Sequence, residues 1–134
     1  MPFRHTTSRT IDAPAETLWR ILTDTTLWPR WGTSIEEVRC TERIIRAGSM
    51  GTVKIAHLPL HLPFEVTVFD EDRLFWKWEV AGVEATSHQV KRPAGTPPQV
   101  IFGVPNLLYA PYLGICKLAL TNIEAMAKEL RAAS

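Results

Sequence analysis

The sequence predicts an α+β fold: one antiparallel sheet of seven strands packed against a single long C-terminal helix. Two patterns carry this reading. From Leu113 onward the apolar residues Leu113, Cys116, Leu120, Ile123, Ala127 and Leu130 recur in steps of 3, 4, 3, 4 and 3, one stripe on a helix. Lys117, Thr121, Asn122, Glu124, Lys128, Glu129 and Arg131 fall largely off that stripe. Between Ile35 and Val104 the chain reads instead as short strands, and the clearest is Leu74, Trp76, Trp78 and Val80 alternating with Phe75, Lys77 and Glu79. One helix against one sheet is the simplest way to bury both apolar faces.

The elements follow in order. Phe3 to Ile11 is polar and threonine-rich, which suits an edge strand. Pro14 fits the first position of a short helix, and Glu16 in its first turn favours the helix dipole. Leu18, Trp19, Ile21 and Leu22 form its apolar face, and it ends near Asp24. Trp28 and Trp31 are three apart and share a face of a second brief helix, kept short by Pro29 and Gly32. Ile35 to Glu42 and Gly51 to His57 read as strands, the first with Val38 and Cys40 on one side, the second with Val53, Ile55 and His57. Two prolines make Leu58 to Pro63 an apolar loop rather than a central strand. Phe64, Val66 and Val68 share one face of the next strand, which ends in a hairpin turn at Asp70 to Arg73. After the Leu74–Val80 strand Gly82 turns the chain, Val83 to Lys91 is a polar strand containing His88, and Val100, Phe102 and Val104 mark the last strand. Short turns between consecutive strands make them antiparallel.

The start of the long helix carries two signals. Asn106 suits an N-cap, and Pro111 is tolerated in a first turn only, so regular helix begins between them. Leu107, Leu108, Tyr109, Tyr112 and Leu113 are too apolar for an ordinary surface loop. They either plug one end of the core or rim a cavity that opens to solvent.

At 134 residues the size prior is one domain, spanning 1–134. Hydrophobic residues make up 46% and charged residues 22%, the balance of a globular protein able to build its core without staples. Net charge is +1 with both signs interspersed, and no basic stripe suggests a nucleic-acid surface. No apolar run approaches the roughly 20 residues needed to span a bilayer. Residues 1–8 have no apolar signal-peptide core, so a cytoplasmic protein is expected. Cys40 and Cys116 occupy apolar positions without metal-ligand spacing and read as buried free thiols.

The run Ile11-Asp-Ala-Pro-Ala-Glu-Thr-Leu-Trp-Arg-Ile-Leu-Thr-Asp24, followed by Trp28 and Trp31, resembles the START and birch-pollen-allergen superfamily in its polyketide cyclase/dehydrase and lipid-transport branch. The order of elements agrees over essentially the whole length. The resemblance implies a helix-grip fold, in which a curved sheet wraps round the C-terminal helix and an apolar small molecule sits between them. It implies no universal catalytic motif. The chain departs from the common pattern at Pro97-Pro98 and at Val104-Pro105-Asn106, around the last strand and the pocket mouth.

No catalytic motif is present: no Gly-x-Ser-x-Gly elbow, HExxH, phosphate loop or CxxC. No residue is assigned as catalytic, and no cofactor or metal is indicated. His88 is the best candidate for a polar group facing a ligand, provided its strand register turns it inward. His57 and His61 flank the proline loop, and their spacing of four means little outside a helix. Trp76 and Trp78 pack in the core on the plainer reading, or form a flat wall suited to a ring system. The expected pocket wall is therefore Trp76, Trp78, Phe64, Val66 and Phe102 with His88, and the expected mouth is Leu108, Tyr109, Tyr112 and the loop around Leu60. Three functions fit: a binding protein for a lipid-, polyketide- or aromatic-like molecule; a cyclase or dehydratase using His88 as proton shuttle; or a homodimeric interaction module built on Leu58–Pro63 and Leu107–Leu113.

Overall fold

The structure, a computed structural model, describes residues 5–133, and the side chains of all of these except Leu107, Leu108 and Ala133. Strand β1 (His5–Thr10) leads to helix α1 (Ala15–Thr23), a 3-10 turn (Thr25–Leu27) and helix α2 (Trp28–Trp31). Six strands follow: β2 (Ile35–Cys40), β3 (Met50–Ile55), β4 (His61–Asp70), β5 (Phe75–Val80), β6 (Val83–Lys91) and β7 (Gln99–Val104). A 3-10 segment (Leu107–Tyr112) then introduces helix α3 (Leu113–Ala133). The sheet order is β1-β7-β6-β5-β4-β3-β2, so β2 to β7 form a meander and β1 closes against β7. Every pairing is antiparallel. The β2–β3, β4–β5 and β5–β6 ladders each carry a register irregularity, of the kind that bends a strand and increases its twist. Among the described residues, no helix is long and apolar enough to cross a membrane.

The two short helices interlock through their indoles. Trp28 Nε1–H donates to the Leu22 carbonyl (2.9 Å) and Trp31 Nε1–H to the Ile21 carbonyl (3.0 Å). Carbonyls in the last turn of a helix have no partner within it, so α2 caps α1 with side chains. The rings themselves enter the sheet's concave face. Trp28 stacks on Trp76 with centroids 5.3 Å apart and planes 10° apart, and it meets Phe64 and Trp78 at 5.6 and 5.3 Å. Phe64 in turn lies over Gly51, where a Cβ would stand 2.9 Å from its ring and 2.2 Å from the Arg39 carbonyl. The glycine is required there by close approach rather than by its dihedrals.

Asp24 fastens this helical pair to the β2–β3 connection. Its carboxylate is buried and accepts from Thr26 N–H (3.0 Å), the Thr26 hydroxyl (2.6 Å) and Arg43 Nε (3.1 Å). Arg20 Nε stands 3.6 Å from the same oxygen that Arg43 meets, Oδ2. Backbone bonds Thr25 N–H to the Arg43 carbonyl (2.7 Å) and Ile45 N–H to the Thr23 carbonyl (3.1 Å) run alongside. Burial alone raises the carboxyl's pKa, and the Thr26 hydrogen bonds together with the Arg43 charge reverse this and leave it below the usual 3.8.

Helix α3 buries Cys116, Leu120, Ile123 and Ala127 as its periodicity predicts, with Ala119 and Met126 beside them. Leu130 departs from the expected stripe and is 46% exposed, at the side of a groove it lines with Asp12 to Pro14 and Thr17. Arg131 holds that end by donating to the Asp12 carbonyl (2.9 Å). Regular α-helix starts after Pro111, not between Asn106 and Pro111, since the proline is taken up in the 3-10 segment. The edge strand expected over Phe3–Ile11 spans His5–Thr10 among the described residues.

Four further expectations change. β4 begins at His61 and carries Pro63 inside a central strand. The Pro63 carbonyl accepts from Ala81 N–H (2.7 Å), so its ring nitrogen faces the β5–β6 turn, where no ladder donor is needed. His57 lies in a turn with φ 67, beyond the end of β3. The bulge between Val66 and Val68 shifts the alternation, so Val68 is 37% exposed and Phe69 faces in against Trp19 at 5.5 Å. Cys40 is half-buried on edge strand β2, whereas Cys116 is buried and its thiol is pushed up to about 11 by burial.

Two stability outcomes follow from this packing. Leu120→Ala removes a fully enclosed side chain and should cost about 2–5 kcal/mol in denaturant melts, against less than about 1 kcal/mol for Leu130→Ala. Comparable losses at the two positions would mean that the helix does not pack as described. Asp24→Asn should cost about 1–3 kcal/mol at neutral pH, because Arg43 and Thr26 lose a charged acceptor. A carboxyl whose folded pKa is lowered stabilises the fold above its unfolded value and loses that contribution as pH falls through the folded one. The wild-type advantage over Asp24→Asn should therefore shrink below about pH 4, and an advantage unchanged at pH 2 would contradict the assignment.

Candidate functional site

The concave face of the sheet holds two spaces, one above the other. The outer is an open cleft of about 270 Å³ at the end of the sheet where β3 stops and β6 starts. Ile35, Val53, Ile55, Val80, Ala85, Val104 and Pro105 line it with Trp78, and Tyr109 and Tyr112 stand at its side. Its sole charged lining residue among those described is Glu84, which is paired with Lys77 at 2.7 Å. The inner space is a void of about 30 Å³, bounded by Trp28, Trp31, Trp76, His88, Phe102 and Cys116. Ser34, Ile35, Trp78, Thr86 and Tyr112 line both. Between them the Ser34 hydroxyl and the Tyr112 phenol are hydrogen-bonded at 2.5 Å. Burial raises the pKa of the Tyr112 phenol, and the Ser34 bond opposes this.

His88 is brought inward by a detail of strand pairing. The β5–β6 hairpin turns on Ala81 and Gly82, both with positive φ (53° and 76°), and Val80 pairs Val83 across it. Such a two-residue turn matches the twist of its strands. Continued without interruption, that register would set Ser87 opposite Trp76 and turn His88 to the convex face. Instead the ladder shifts between Glu79↔Glu84 and Lys77↔Ser87, and Trp76 pairs His88. Cross-strand partners share a face, so the one-residue bulge at Ala85–Thr86 places the imidazole beside the indole. The two rings stack with centroids 3.9 Å apart, and Phe102 meets His88 edge-on at 4.8 Å.

The polar groups of this layer form a short chain. Trp78 Nε1–H donates to the Thr86 hydroxyl (3.1 Å), which lies 2.9 Å from His88 Nε2. The Thr86 hydroxyl, accepting from Trp78, can donate its own proton to Nε2 or accept a second bond from it, according to the imidazole tautomer. Among the described residues, His88 Nδ1 and Trp76 Nε1 are buried with no hydrogen bond of good geometry, although the imidazole approaches the Trp76 backbone. A buried donor such as Trp76 Nε1–H left unmatched costs about 1–3 kcal/mol. Burial pushes the His88 pKa down to about 3, with the Trp76 backbone pulling weakly the other way, so the ring is neutral at physiological pH.

Of the residues expected at the site, Trp78 and Tyr112 line both spaces, Tyr109 lines the cleft, and Trp76, Phe102 and His88 line the inner void. Phe64 and Val66 border neither, because the Trp28 ring covers Phe64 and both side chains are buried in the core. Leu108 lies outside the residues whose side chains are described. The turn around Leu60 is absent from the lining of both spaces. Ser34, Ala85 and Thr86 were missed, and they carry no motif, while Pro105 belongs to the Val104-Pro105-Asn106 departure expected near the pocket mouth. Val53, Ile55 and Val80 were visible as one-face residues of their strands. Among the described residues, no group of three or more His, Cys, Asp or Glu is placed to hold a metal ion.

The neutral, buried His88 gives a sign for acid sensitivity. Its folded pKa lies below the unfolded 6.5, so the unfolded chain takes up the proton first and stability falls as pH drops from about 6.5 toward 3. His88→Phe should flatten that limb of the stability–pH curve, whose slope approaches about 1.4 kcal/mol per pH unit for one proton. An identical limb in a folded His88→Phe variant would mean that His88 is not the group responsible.

No curated protein sequence matches the chain. Solved structures do match in fold. A hypothetical protein of Helicobacter pylori superposes with a TM-score of 0.72 at 11% identity, over 91% of this chain and 86% of that one. A protein of Nitrosomonas europaea gives 0.70 at 15% identity, over 95% of both chains. The family model for polyketide cyclase/dehydrase and lipid transport matches residues 2–98, which takes in α1, the paired tryptophans and the strands up to the start of β7. With that match over more than half its length, the chain belongs to the polyketide cyclase/dehydrase and lipid-transport family.

Proposed function

We propose that the protein binds a small apolar, ring-bearing molecule in the outer cleft, resting on the mouth of the sheet rather than deep inside it. One observation carries this reading: the cleft offers about 270 Å³ of space with an overwhelmingly apolar lining and aromatic side chains on two sides. That volume is close to the lower bound of ordinary small-molecule sites, so the ligand is compact. The interior beneath is filled by Trp28 and Trp31, which excludes a long acyl chain threaded between sheet and helix.

A catalytic reading would assign proton transfer to His88. A group held neutral down to about pH 3, behind the Ser34–Tyr112 bond, is poorly matched to proton transfer near neutrality. The position suits a fixed hydrogen-bonding group better. The association reading rests on Leu58–Pro63 and Leu107–Leu113: Leu58 and Leu60 are 47% and 49% exposed and outside the cleft lining, whereas Tyr109 and Tyr112 of the second segment line the cleft itself.

N-phenyl-1-naphthylamine, an uncharged fluorophore of suitable size, should bind the wild-type protein with enhanced emission. Ala85→Phe places a ring in the cleft and should weaken that binding at least tenfold while melting within about 3 °C of wild type. Absence of uptake by wild type, or undiminished uptake by a folded Ala85→Phe variant, would overturn the reading.

A further inference from the structure

We infer that β2, an edge strand of the sheet, pairs antiparallel with β2 of a second copy about a two-fold axis at Val38, joining two sheets into one. Of this strand, Ile35 alone lines the cleft. β2 has β3 on one side and no strand on the other. The Arg39 carbonyl faces β3, where a Cβ at Gly51 would collide with it. Backbone groups in an antiparallel strand face alternate sides, so Glu37 and Arg39 direct theirs at β3, and Val38 and Cys40 present theirs outward. Among the described residues, no backbone group reaches those of Val38 or Cys40 from that side. A row of open N–H and C=O groups is a template for one more strand. The bulge residue Glu36 lies before this stretch, so the ladder from Glu37 to Cys40 is regular.

Charge selects the partner and the register. Outward groups must meet outward groups to bond, so most of the strand can take part only with the axis at Glu37, Val38 or Arg39. An axis at Glu37 sets Glu37 against Glu37, and one at Arg39 sets Arg39 against Arg39; like charges directly opposite are destabilising. An axis at Val38 sets Glu37 of each copy opposite Arg39 of the other, twice by symmetry. The two side chains already lie together on one exposed face, 2.6 Å apart, so the exchange moves neither charge far. Val38 and Cys40 pack half-buried against the core on the opposite face, and the same axis brings Val38 beside its copy. Charges on an edge ordinarily keep other strands away, and here their order matches a second copy of the same strand. The other edge, β1, offers no such match: Arg9 is its one residue of fixed charge, and it reaches Glu124 of α3 at 2.8 Å. A contact of six residues a side is small against the roughly 20–30 of a standard interface, so the dimer is weak and dissociates on dilution.

Sedimentation velocity on the whole chain, from about 5 to about 500 μM, tests this. Wild type should be a monomer at the low end and move toward twice that mass at the high end. Arg39→Glu sets glutamates against each other across the axis and should weaken association at least about tenfold. Glu37→Arg combined with Arg39→Glu exchanges both charges and should bring association back to within about threefold of wild type. Val38→Pro removes an outward N–H that β3 does not use and should abolish association in a folded chain. A wild type that stays monomeric at every concentration would overturn the proposal. Association that Arg39→Glu leaves unchanged, that the double exchange fails to restore, or that a folded Val38→Pro variant keeps would also overturn it. If Val38→Pro does not fold, the charge series decides the question.

Discussion

The stack of Trp28 on Trp76 is the contact on which the other parts depend. A curved sheet this wide cannot be covered by one helix, and an uncovered concave face would leave water against Trp76, Trp78 and Phe64. Trp28 closes that gap from a helix of four residues. So short a helix has no stability of its own, and it is held by its indole bonds to α1, by Asn122 of α3 donating to the Trp31 carbonyl, and by the aromatic layer below. The helix pair and α3 thus lie side by side on the sheet, with α3 against β1 and β7 and the indoles filling the face beside it.

That layer also decides where a ligand has room. Filling the centre with two tryptophans pushes free space to the end of the sheet, where β6 begins and the 3-10 segment crosses. The departure from the usual family pattern at Val104-Pro105-Asn106 falls at this same end, and Val104 and Pro105 themselves line the cleft. The site is accordingly built from residues with little chemical identity, arranged round a few aromatic rings, and its polar groups are few: the row from Trp78 through Thr86 to His88, the Ser34–Tyr112 pair and Glu84.

The long helix and β5 were legible because both follow one uninterrupted period against one buried face, and the arrangement of strands followed from short turns. Alternation fails where the ladder slips. Val68 and Phe69 exchanged faces at a bulge, and Thr67 carries no mark that would announce one. Pro63 was read as a strand breaker because the rule concerns a missing donor, and which neighbour that donor would face is a property of register, invisible along one chain. Trp28 and Trp31 were recognised as a face of a short helix. Their reach into the interior was not, since nothing local ties them to Trp76 more than forty residues later. Phe64 and Val66 were placed on the correct face and on the wrong side of that plug.

The bulge at Ala85–Thr86 separates two registers within β6. Before it the strand obeys the pairing set by the Ala81–Gly82 turn, and after it a pairing shifted by one residue, which sets His88 opposite Trp76. Flattening the bulge with the chain length unchanged would set Ser87 opposite Trp76 and turn the imidazole away from the tryptophans. Loss of one residue at the bulge would instead leave a plain hairpin with His88 still opposite Trp76. In mutational terms the extra residue is dispensable to the pairing beyond it, and a one-residue deletion there is a change the sheet can absorb.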